Sequence, residues 1–457
     1  MPTTSSSPVS SRSSSIGSCV SATTSACYSL ESFGDLEPRV LKLATESVWP
    51  GSKAEDIIVR KIALGGFNRI IGLERKGEEV ILRLPHRKDD DINADVSILD
   101  FVRGHTTIPL PEVVSVDDQA NNDLGSKYCI QRLLPSGTVL SLYPGLTHSQ
   151  KCQVARELGN AMNQMLAVKS SVAGRISSQP PGNSFASINK FLSNIRCWIN
   201  RGFSLKRISG KDTITLRQSH APRSLFYIEP LLPRFDGLNT EEADRRFNPA
   251  GFKAVYSDPV AARPYQAQAP QESTLDLLTA LCKANKANYI RHCPLRAGEE
   301  CLMDRLSDMT EQLAAQGWLN DRSYSLCHLD FHPRNILINP GAREIISGII
   351  DWDSALFLPT FMACEPPMWL WAWNDEDDED QRQANDTPST HEEQEIKAIF
   401  EEAAGKTYLK FAYEPSYRLG RQLVKYIIED VRCTSTARIV GQMLDEWNAL
   451  YSQSQVQ

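Results

Sequence analysis

Hydrophobic and polar positions follow two different periods along this chain, and the change of period divides it. Residues 55–85, EDIIVRKIALGGFNRIIGLERKGEEVILRLP, hold apolar runs at 57–63, 69–73 and 80–84, separated by LGGFN and the turn-rich ERKGEE. Short apolar runs broken by glycine-containing turns predict a three-strand meander. Within 91–105, Val96, Leu99 and Val102 recur at helical spacing, and IPLPEVVSV (108–116) and YCIQRLL (128–134) supply two more strands. The pattern predicts an antiparallel sheet with one helix inserted after its third strand, a small lobe over 35–134.

Beyond residue 135 the helical period dominates. Val154, Leu158, Met162 and Met165 mark one amphipathic helix, and Leu302, Leu306, Met309 and Leu313 another. Between 203 and 270 the pattern fades into a stretch containing Pro, Arg and Gln, read as an insertion on a larger lobe spanning 135–457. The class is α+β. Residues 1–30 are rich in Ser and Thr and carry Arg12 as their single basic residue. They hold no apolar segment of a secretory signal, and a disordered tail over 1–34 is expected, with mitochondrial targeting as the alternative.

Composition narrows the class. The chain has 457 residues, 41% hydrophobic and 23% charged, ordinary values for a globular protein with two cores. A net charge of −7 argues against a broad nucleic-acid surface. No apolar run approaches the roughly 18 residues that span a bilayer. Eleven cysteines lie scattered with no CxxC pair, which predicts reduced thiols in a cytoplasmic protein and no zinc site. The acidic run NDEDDEDQRQAND (374–386) reads as a solvated loop, able to attract a cationic ligand.

The stretch SLCHLDFHPRNILINPGAREIISGIIDWDSA (325–355) carries the candidate chemistry. Its apolar runs NILIN and IISGIID predict two short strands, flanked by Asp330, Asn335 and Asp351. Phosphoryl transfer needs positioning, charge neutralisation and a carboxylate near the attacking hydroxyl. Two hard oxygen ligands at the mouth of a hairpin suit Mg²⁺, and Asn335 and Asp351 are the candidates. Asp330 is the candidate catalytic residue that takes or orients the hydroxyl proton. Asp353 is read as a turn former, Cys327 as a small apolar core residue, and Trp352, Trp369, Trp371 and Trp373 as core aromatics.

CHLDFHPRNILI and GIIDWDSA resemble the catalytic and metal-binding segments of the aminoglycoside phosphotransferase and choline kinase family, in particular a branch abundant in fungi. The resemblance covers most of the chain from about residue 36 and includes His332. It implies a two-lobed protein-kinase-like fold, ATP and Mg²⁺ as cofactors, and a small-molecule hydroxyl acceptor. On it, Asp330 is the catalytic Asp, and Asn335 and Asp351 hold the metal. In LGGFNRI, Gly65, Gly66 and Asn68 take the place of the loop over the nucleotide phosphates. Arg83 stands where the family usually presents a Lys, and Asp95 where its Glu partner is expected, which implies an Arg83–Asp95 ion pair. Two functions follow: a kinase acting on small molecules, or a pseudokinase that binds nucleotide as a scaffold or sensor. A protein kinase fits poorly, because no activation segment follows IIDWD.

Overall fold

The computed structural model describes residues 32–64, 68–86, 92–134, 136–177, 227–230, 273–292, 301–373, 380–429 and 434–454. The expected tail up to residue 31, Gly65 and Gly66, most of the expected insertion, and residues 374–379 of the acidic run lie outside them.

The chain enters through α1 (Phe33–Leu43), capped by Ser32, whose Oγ accepts the Asp35 N–H at 3.2 Å. Leu36, Val40 and Leu43 form one buried stripe on this helix. Next come β1 (Ile58–Leu64), β2 (Asn68–Arg75) and β3 (Glu78–Pro85). Lys76 and Gly77, both at positive φ, close the β2–β3 hairpin, the backbone that a two-residue turn between twisted strands needs. α2 (Ile92–His105) follows, then β4 (Val113–Asp117) and β5 (Tyr128–Arg132). The sheet is antiparallel in the order β1-β2-β3-β5-β4. Along β3 the pleat sends Val80, Leu82 and Leu84 into a core shared with α1, and Arg83 to the opposite face.

The strand expected over 108–116 starts only at Val113. Pro109 and Pro111 have no N–H to give a ladder, so the first half of that run stays outside the sheet. α2 also departs from a simple small-lobe assignment. Its Ile98, Leu99, Phe101 and Val102 join the core of the larger lobe, so this helix ties the lobes together.

The larger lobe opens with β6 (Gly137–Thr138), the one-turn α3 (Val139–Leu142) and α4 (His148–Ala167). Then come β7 (Lys169–Ser170), β8 (Gly174–Ser177), β9 (Tyr227–Pro230), α5 (Thr274–His292) and α6 (Leu302–Ala315). After these follow β10 (Tyr324–Cys327), β11 (Ile336–Ile338), β12 (Ile346–Ile349) and β13 (Leu356–Pro359). The chain ends in α7 (His391–Ala412), α8 (Pro415–Glu429) and α9 (Thr434–Ser454). The hairpin read from NILIN and IISGIID is β11–β12, with β6 added to its edge. A second sheet, β7-β10-β13-β8-β9, escaped the sequence pattern because its strands are only two to four residues long, too short to show a period.

α4 and α7 cross at Gly159. A Cβ there would sit 2.6 Å from the Phe400 carbonyl oxygen and 2.6 Å from Ala403 Cβ, so the backbones meet with no room for a methyl group. Gly159→Ala is expected to cost about 1–3 kcal/mol through overpacking, despite Ala being the better helix former. A lower urea midpoint at unchanged m-value is the check.

Candidate active site

β10 is buried along its whole length and delivers the chain at Cys327 into a sharp loop. His328, only 3% exposed, anchors that loop: its Nε2 lies 2.9 Å from the Ile350 carbonyl oxygen and its Nδ1 accepts the Asp330 N–H at 3.3 Å. A neutral ring with its proton on Nε2 satisfies both contacts. Burial pushes the His328 pKa below its usual value, opposed by Asp351, the Ile350 carbonyl and Asp330. Since the folded value lies below the ordinary 6.5, the unfolded chain binds more protons between the two. Stability is therefore full above about pH 6.5 and falls as pH drops toward the folded value. His328→Gln, which keeps an amide donor for Ile350, should flatten that part of a plot of urea midpoint against pH.

Two residues on either side of this anchor are forced left-handed. Leu329 has φ 62° and Asp351 φ 64°, a region that costs a side-chain-bearing residue energy and persists only where surroundings impose it. Both turns lie at the candidate chemistry. Nothing in the residue types announced them.

Asp330 and Asn335 are in direct contact. Asn335 Nδ2 donates to Asp330 Oδ2 at 2.7 Å and to the Asp330 carbonyl at 3.0 Å, which leaves its Oδ1 as the group that could accept a cation. Arg334 Nη2 donates to the other carboxylate oxygen, Oδ1, at 2.7 Å. His332 caps the turn Pro333–Asn335, its Nδ1 accepting the Arg334 N–H at 3.3 Å. The hairpin then brings the third member close. The Ile350 N–H donates to the Asn335 carbonyl at 2.9 Å while its own carbonyl receives His328, and Asp351 is the next residue. An Asn and an Asp oxygen are hard ligands, so this donor set fits Mg²⁺ and not a softer metal.

Two positioning residues were not legible. Glu157 on α4 accepts the N–H groups of Ile345 at 3.0 Å and Ile346 at 2.7 Å, which fixes the start of β12. Trp352 packs edge-on to His328 at 4.6 Å between centroids and donates Nε1–H to the Ile349 carbonyl at 2.9 Å. Arg334 could have been singled out as a charge next to the candidate ligand Asn335; Glu157 looks like any polar position on an amphipathic helix.

The small lobe corrects one expectation. Arg83 does not pair with Asp95; its Nη2 donates to Asp353 Oδ2 at 2.6 Å, with side-chain exposures of 14% and 3%. Asp95 lies 3.6 Å from Arg175 Nη2 instead. α2 packs against β8, which carries Arg175, so the short Asp95 carboxylate meets that residue first. α2 also packs on the turn Trp352–Ser354, and that turn presents Asp353 to β3. Asp353 is therefore the lobe-bridging partner of Arg83 rather than a simple turn former. Asn68 begins β2, opposite Pro85 of β3. Trp352, Trp369 and Trp371 are buried as expected, Trp373 stacks on Tyr143 at 5.1 Å, and Cys327 is fully buried, which raises its thiol pKa.

Comparison with known proteins places this geometry. The model of the Phosphotransferase enzyme family matches residues 59–387, a span that holds every candidate site residue. A subtelomeric hrmA-associated cluster protein of Aspergillus fumigatus is 25% identical over 372 residues, covering 75% of this chain and 67% of that protein. Altered inheritance of mitochondria protein 9 of Candida albicans is 27% identical over 143 residues, 28% of this chain and 23% of that one. Among solved structures, aminoglycoside phosphotransferase APH(4)-Ia is 13% identical with a TM-score of 0.44, covering 91% of this chain and 98% of its own. With its antiparallel small lobe, its larger lobe and the β11–β12 hairpin in the expected order, the chain belongs to the phosphotransferase enzyme family.

Proposed function

We propose that the protein transfers the γ-phosphoryl group of ATP, held with Mg²⁺, to a hydroxyl of a small molecule. The observation that supports this is the Asp330–Asn335 contact beside the Ile350 clamp, which holds Asp330, Asn335 and the residue before Asp351 in one loop–hairpin unit. Asp330 orients the acceptor hydroxyl and takes its proton as the oxygen bonds to phosphorus and the bond to the leaving ADP oxygen breaks. Asn335 Oδ1 and the Asp351 carboxylate would hold the ion, whose charge offsets that of the phosphates. Gly65, Gly66 and Asn68 would approach the phosphates, and Arg83 would supply a cation on the cleft face of β3. Among the described residues no helix is long and apolar enough to cross a membrane. Eleven scattered cysteines with no CxxC pair suit a reducing compartment, and on that we read the protein as cytoplasmic.

A nucleotide-binding scaffold without turnover is the second reading, favoured by the engagement of Arg83 with Asp353. A thermal shift with ATP, with and without Mg²⁺, followed by ADP release across a panel of hydroxyl acceptors, separates the two. Mg²⁺-dependent binding with acceptor-dependent ADP release supports the kinase. Binding independent of Mg²⁺, with no ADP released, supports the scaffold.

A further inference from the structure

We propose that His148, Cys152 and Glu395 form a second metal site, for a Zn²⁺-class ion, that joins the start of α4 to the start of α7. His148 and Cys152 are four residues apart, one above the other on the first turns of α4, and α7 runs beside them carrying Glu392 and Glu395. His148 Nε2 lies 2.9 Å from Glu395 Oε2 and 3.5 Å from Cys152 Sγ, and the three donor atoms all fall within 4.8 Å of one another. Around a tetrahedral zinc, with Zn–N near 2.0–2.1 Å and Zn–S near 2.3 Å, nitrogen and sulfur stand about 3.6 Å apart. The nitrogen–sulfur spacing already has that value, and the nitrogen–oxygen contact, now a hydrogen bond, would open to about 3.3 Å as an ion entered.

The other ring nitrogen strengthens the assignment. Glu392 Oε2 is 3.9 Å from His148 Nδ1, where a small rotation would make it the outer carboxylate that orients a metal-binding imidazole. Cys152 is buried at the floor, while the Glu395 side chain is 48% exposed, leaving an entry path and a fourth position open to water. Thiolate, imidazole and carboxylate together select a borderline ion over Mg²⁺ or Ca²⁺, so this site and the candidate Mg²⁺ site differ in chemistry as well as place. The absence of CxxC pairs gave no reason to expect zinc, because this site uses a single thiol. On binding, the Cys152 S–H proton leaves to solvent and the sulfur bonds the ion, one proton released per ion.

The test uses the full chain, stripped with a chelator and titrated with Co²⁺ as the spectroscopic probe. One equivalent should bind with the visible bands of a tetrahedral ion and a thiolate charge-transfer band, both erased by Zn²⁺, and Zn²⁺ should raise the melting temperature. Cys152→Ser should abolish the charge-transfer band. Glu395→Gln, an exposed change that spares the fold, should weaken Co²⁺ binding at least tenfold. Wild-type protein without these bands, a band that survives in Cys152→Ser, or unchanged affinity in Glu395→Gln would each overturn the site and leave an ordinary interhelical hydrogen bond.

Discussion

Asp330→Asn is expected to lower phosphoryl transfer by about 10²- to 10⁴-fold while leaving Mg-ATP affinity within a few-fold of wild type. The substitution keeps the size of the side chain and an oxygen that can accept from Asn335 Nδ2, so the loop holds its shape. What disappears is the carboxylate charge that faces Arg334 and that we propose takes the acceptor proton. Asp351→Asn should fail differently. In the proposed site an amide would replace an anionic ligand to a hard cation, and even changes behind the ligands of a metal site cost about 10- to 100-fold in affinity, so Mg-ATP binding itself should weaken by at least that much. Calorimetry with Mg-ATP, read beside ADP release, distinguishes the two. Slow hydrolysis to water serves where no acceptor is known. Equal loss of binding in both variants would count against this division of roles.

The site was more legible than its support. Asn335 and Asp351 could be read because they bracket two apolar runs just long enough to be recognised as strands, and β11–β12 is the hairpin they predict. Asp330 followed from its spacing to Asn335, and the direct hydrogen bond between them is the physical content of that spacing. Contacts between distant segments were closed to such reasoning. Asp353 reaches Arg83 across 270 positions, and which carboxylate meets that guanidinium depends on how α2 packs, not on any local pattern. The strands β7, β8 and β13 are set by tertiary pairing with β10 and with each other, and their few residues carry no periodic signal. Likewise the His148–Cys152 pair is visible as a helical spacing, whereas Glu395 joins it only through the crossing of α4 and α7.

Breaking the Arg83–Asp353 pair should be the most damaging change to stability. Two charges with side-chain exposures of 14% and 3% have left most of their water behind, and their contact at 2.6 Å offsets part of that loss. Asp353→Ala would take the carboxylate from a largely buried guanidinium, and Arg83→Ala the guanidinium from a buried carboxylate, at a cost of about 3–5 kcal/mol for either. Urea unfolding would read this as a large fall in midpoint. Removing both charges together should recover much of the loss, because apolar residues of similar volume replace a buried ion pair at little net cost. Arg83→Met with Asp353→Leu is therefore expected to be more stable than either alanine variant, and to lose less than the sum of Arg83→Met and Asp353→Leu made singly, the coupling that residues in contact show. Nucleotide affinity then separates support from function. If Arg83 also meets phosphate, the double variant stays weak in Mg-ATP binding although its fold is restored, and Arg83→Lys keeps binding measurable because a cation remains on that face of β3. Two single substitutions whose losses simply add in the double variant would show that the bridge between the lobes rests on other contacts, such as those of α2 in the larger core.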